Sequence, residues 1–114
     1  MVSAKVSIGY DAPWRQVHAL LLVAAERTRG LQRTPPAFVR QSALADFYVE
    51  YEVFAHLERP EERRSVLSEL HAHIQDCFNE HELQIMSPHF ESQPDGRVYV
   101  PKARWYPPPV RKES

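Results

Sequence analysis

The sequence predicts one α+β domain in the order β-α-β-β-α-β, with two helices stacked on one face of an antiparallel sheet and a proline-rich arm behind it. Three observations carry this reading. Apolar residues alternate with period two in residues 6–10 and again in 47–54, as in half-buried strands. Apolar positions recur at helical spacing in residues 14–28 and 66–78. Six of the ten prolines fall between Pro88 and Pro109, so the chemistry of the chain changes after the last apolar stretch.

The first strand rests on Val6, Ile8 and Tyr10 alternating with Ser7 and Gly9. Asp11 or Ala12 is placed to cap the helix that follows, and Pro13 suits its first turn because a missing N–H there has no intrahelical partner to lose. The helix runs to about Thr28, with Trp14, Val17, Leu21, Ala24, Ala25 and Thr28 on one face, and Gly30 stops it. Residues 29–36 form a polar connector closed by two prolines. Residues 37–57 then read as two antiparallel strands joined at Ala45 and Asp46, the second with Phe47, Val49, Tyr51 and Val53 toward the core and Tyr48, Glu50, Glu52 and Phe54 on the other face. Glu58-Arg59-Pro60 breaks the pattern. A second helix starts near Glu61 with an acidic first turn and packs through Val66, Leu67, Leu70, Ile74, Cys77 and Phe78. Residues 83–86 give a short last strand. This order is the ferredoxin-like arrangement, assigned to residues 1–90, with 91–114 as a proline-rich extended tail holding one isolated strand at 97–100.

Charge and composition narrow the function. Fourteen basic residues against fifteen acidic ones leave a net charge of −1, so no global field draws in nucleic acid or anionic lipid. The longest apolar run, residues 19–25, is far short of the roughly 20 residues of a membrane helix, and the chain is expected to be soluble. The lone Cys77 allows no internal disulfide and fits a reducing compartment.

Motifs for chemistry are scarce. His73, Cys77 and His81 recur at i, i+4 and i+8, a possible zinc stripe, yet Cys77 sits among Leu70, Ile74 and Phe78, where a thiol behaves as a small hydrophobe; packing is the preferred reading and no metal or cofactor is assigned. His71 points away from that stripe, and His89 follows a Ser-Pro break as a surface or interface histidine rather than a catalytic one. No nucleophile elbow and no glycine-rich phosphate loop is present, so neither hydrolase nor nucleotide chemistry is indicated. Glu50 and Glu52 read as a solvated or subunit-contacting surface rather than an acid/base pair. They also oppose RNA binding through Tyr48 and Phe54, because they would repel phosphates. The chain is therefore expected not to be an enzyme.

Three blocks give a more specific reading: VSIGYDAPWRQVHALLLVAA (6–25), ALADFYVEYEVFAHLERPEERRSVLSELH (43–71) and IQDCFNEHELQIMSPHF (74–90). In this order they resemble the carboxy-terminal cytoplasmic domain of small-conductance mechanosensitive (MscS-like) channels, over residues 5–90. The resemblance implies a non-catalytic domain that follows membrane helices and a small β domain, on the cytoplasmic side of the cell membrane. It further implies seven copies around a hollow vestibule whose portals admit solutes to the pore, and a chain that is a piece of a longer channel polypeptide. Under it, Tyr48, Glu50, Glu52 and Phe54, together with Met86, Ser87, Pro88, His89 and Phe90, are the candidate subunit contacts. The alternative is a free-standing small-ligand-binding or regulatory module on the same frame. One departure stands out: the family usually has glycine just after the second helix, where this chain has Glu82, so the left-handed stop falls to another residue or to none.

Overall fold

The computed structural model describes residues 1–86 together with Lys102 and Trp105. Its elements are β1 (Val2–Ile8), α1 (Trp14–Arg27), β2 (Phe38–Leu44), β3 (Val49–Ala55), a 3-10 turn (Pro60–Glu62) and α2 (Arg63–Glu80). The α+β class of the sequence reading is thus found, with a three-stranded antiparallel sheet in the order β1-β3-β2. β3 is central. Its Val49, Tyr51, Val53 and Ala55 are buried against the helices, and β1 brings Val2, Ala4, Val6 and Ile8 to the same face in register. The helices close this face with Val17, Leu20, Leu21 and Ala24 from α1 and Val66, Leu70, Ile74, Cys77 and Phe78 from α2.

Several boundaries shift, each for a local reason. β1 starts at Val2 and stops at Ile8, because the alternation extends back through Ala4 while Tyr10 turns out of the sheet, 54% exposed. Ahead of α1, Ala12 N–H closes a turn on the Gly9 carbonyl, and extended Pro13 is the N-cap residue, its carbonyl receiving the N–H groups of Gln16 and Val17. Trp14 and Phe47, expected in the core, are each 44% exposed, since each precedes the first residue its element buries. The last strand is reduced, among the described residues, to one antiparallel bridge of Ile85 with Ile8, reinforced by Met86 N–H on the Ser7 carbonyl at 2.7 Å. The expected strand at 97–100 and the proline-rich tail lie outside the described residues.

Both helix ends are built by backbone geometry. Gly30 sits at φ 91°, and a Cβ there would come within 2.5 Å of Val66 Cγ2, so the stop also lets the connector pass against α2. The connector is then pinned by Gln32 N–H to the His56 carbonyl at 2.7 Å and Glu58 N–H to the Gly30 carbonyl at 2.9 Å. At the end of α2, Glu82 itself takes the left-handed conformation, φ 58°. Leu83 N–H reaches the Phe78 carbonyl and Glu82 N–H the Asn79 carbonyl, the paired bonds of a Schellman stop, with buried Leu83 and Phe78 as its hydrophobic pair.

Candidate functional site

The sheet face turned away from the helices gathers polar and aromatic groups in three cross-strand rows. Register sets Ser3, Phe54 and Phe38 in one row, Lys5, Glu52 and Arg40 in the next, and Ser7 and Glu50 beside the bulged Ser42–Ala43 step in the third. Phe38 and Phe54 stack with centroids 5.0 Å apart, and the Arg40 guanidinium lies 5.3 Å and 5.9 Å from the two rings. Ser42 donates its hydroxyl to the Glu50 carboxylate at 2.7 Å. Each acid therefore faces a cation or a hydroxyl across the strand, and the face carries two positive and two negative side chains. The face thus combines stacked rings with balanced charge and has no net field of the kind that holds a polyanion.

Of the residues chosen from sequence, Glu50, Glu52 and Phe54 share this face, all three half-buried. Tyr48 ends the turn before β3, where its carbonyl accepts from Ala45 N–H at 2.9 Å. Met86 is buried at 5% exposure within its own chain, which places it in the packing beside β1. Ser87, Pro88, His89 and Phe90 lie outside the described residues. Sequence reasoning missed Lys5, Phe38 and Arg40, whose place beside Glu52 and Phe54 depends on strand register; the alternation of β2 placed Phe38 and Arg40 on a common face but did not say which.

The helical stripe divides rather than converges. The Cys77 thiol is buried on the Arg27 side, 3.3 Å from Nη1; burial pushes its pKa up, with the nearby Arg27 charge working the other way. Arg27 also donates to the Glu80 carboxylate at 2.8 Å, and this hydrogen bond holds the Glu80 pKa down and raises that of Arg27. His81 turns back to the Cys77 carbonyl at 3.0 Å, and His73 lies 4.0 Å from Glu69. A separate cleft of about 460 Å³ opens where α1 meets the connector, between Leu22, Thr28, Arg33, Pro36 and Glu58.

The fold defines a small α+β domain, two helices on one face of a three-stranded antiparallel sheet with a ring-bearing, charge-balanced outer face. Residues 2–85 match the family model described as "Mechanosensitive ion channel MscS, C-terminal", and the chain belongs to that family of channel domains. No curated protein gives a significant match. Among the described residues no helix is long and apolar enough to cross a membrane.

Proposed function

We propose that this domain is a non-catalytic wall element of the cytoplasmic vestibule of a mechanosensitive channel, holding subunits together and shaping solute access to the pore. In this reading residues 1–90 complete a ferredoxin-like domain with a fourth strand beside β1, residues 91–114 are its tail, and seven copies surround the vestibule. The outer sheet face carries the proposal. Phe38, Phe54 and the Lys5, Arg40, Glu50 and Glu52 charges form a partly exposed surface on the side away from both helices, and such a surface gains from a partner of matched charge. Family membership supports a channel oligomer as the setting.

The test uses the protein expressed from its native gene. The reading predicts a membrane-bound oligomer that protects cells from a sudden drop in external osmolarity, with Glu50→Lys and Glu52→Lys altering conductance or assembly. Recovery of the native polypeptide as a freely dissolved monomer, with no effect on osmotic survival, contradicts it.

A further inference from the structure

The cleft beside α1 combines apolar walls with charges of both signs that are not paired with each other. Leu22 and Ala25 on α1, with Leu31 and Pro36 from the connector, supply the apolar surface, and Glu26, Arg33 and Glu58 stand around it. The backbone on the connector side is fixed. Leu31, 7% exposed, bridges to Leu57, and the Gln32 side-chain amide donates to the Leu57 carbonyl at 2.9 Å. The backbone bonds from Gln32 to His56 and from Glu58 to Gly30 lock the same stretch from both sides. A cleft held in this way is formed before any ligand arrives, and its volume of about 460 Å³ falls in the range of small-molecule sites.

The charges around the cleft define its ligand. Arg29 is engaged elsewhere, its backbone N–H and its guanidinium both on the Glu69 carboxylate, at 2.6 Å and 3.5 Å. By contrast, the side chains of Glu26, Arg33 and Glu58 have no hydrogen-bond or ion-pair partner among the described residues. Buried Thr28 spends its hydroxyl proton on the Ala24 carbonyl at 2.8 Å, which leaves its oxygen as an acceptor on the cleft. Two carboxylates and a hydroxyl oxygen suit an ammonium, the Arg33 fork suits a carboxylate, and the apolar walls suit a hydrocarbon side chain. A simple anion is repelled by Glu26 and Glu58, and a simple cation leaves Arg33 unmatched. We propose that this cleft binds a zwitterionic α-amino acid with a large apolar side chain, its ammonium toward Glu26 and Glu58 and its carboxylate on Arg33. The site is separate from the outer sheet face and does not depend on subunit assembly.

L-phenylalanine is the probe, titrated into the whole chain while backbone amide resonances are followed by NMR. Binding in the cleft predicts saturable shifts centred on residues 22–37 and 58. It also predicts affinity at least about tenfold above that of phenethylamine, which lacks the carboxylate, and of 3-phenylpropionate, which lacks the ammonium. Arg33→Gln changes only an exposed side chain and is expected to erase the preference over phenethylamine. Glu26→Gln/Glu58→Gln, also at exposed positions, is expected to erase the preference over 3-phenylpropionate, with an unchanged melting temperature as the control on the fold of both variants. The proposal is overturned by shifts that never saturate, by shifts centred elsewhere, or by either analogue binding as tightly as L-phenylalanine.

Discussion

β2 and β3 are both seven residues long and hydrogen-bonded to each other, yet they live in different surroundings. β3 alternates buried and half-buried residues along its whole length, whereas six of the seven β2 residues are exposed and only Val39 is half-buried. The difference comes from position. β3 has a neighbour on each side and helices over one face; β2 is an edge, reached by α1 at few points. Amino-acid pattern selects the strand, but the place in the sheet selects what the strand is for: β3 holds the domain together, and β2 lends its outward groups to the surface.

The sharpest way to break this comparison is to truncate cross-strand partners. Tyr51, 1% exposed, and Gln41 face each other in register. Tyr51→Ala is expected to lower unfolding free energy by about 3–5 kcal/mol, as for large-to-small changes of buried aromatics. Gln41→Ala should stay within about 0.5 kcal/mol of wild type. Urea unfolding midpoints measure both, and similar losses would show β2 to be as structural as β3.

A smaller effect is expected at the entry to β2. Gly30→Ala meets both the left-handed backbone and Val66, and should lose about 1–3 kcal/mol on the same urea assay. Glu82→Gly works in the other direction. It relieves the left-handed conformation at the end of α2 at the expense of a more flexible unfolded chain, and a net gain of about 0.5–1 kcal/mol should raise the melting temperature.

The least effect is electrostatic. Glu80 has its carboxyl pKa lowered in the folded state, first by the Arg27 hydrogen bond. Its stabilisation is therefore complete above the unfolded carboxylate value of about 4.3 and is lost as pH falls through the lower folded value. Because the Arg27 and Glu80 side chains are 44% and 27% exposed, the pair is worth no more than about 1 kcal/mol. Glu80→Gln should flatten the stability profile below about pH 4 by that amount and leave the slope between pH 6 and 8 unchanged.

Much of this was legible in the sequence because it follows from periodicity. The core of β3, the α2 stripe through Val66, Leu70, Ile74, Cys77 and Phe78, and the Gly30 stop are local patterns that tertiary packing reinforces. Strand ends were not legible: Tyr10 and Phe47 continue an alternation that the turns beside them interrupt. The Glu82 stop was hidden because a glutamate carries no propensity for the left-handed region; the Schellman bonds impose it. On the candidate face, Glu50, Glu52 and Phe54 were found by alternation alone. Their neighbours Lys5 and Arg40 come from other strands and required the register.

The central claim is that the outer sheet face joins this domain to another subunit of a channel. The most direct measurement is the mass, by light scattering, of the native-gene protein extracted from membranes, compared with its Phe38→Ala/Phe54→Ala variant, with thermal unfolding as the check on the fold. The account predicts a multi-subunit particle that the variant weakens or breaks down while its melting temperature shifts by only a few degrees. An oligomer of unchanged mass and unchanged resistance to dissociation in the variant would contradict it.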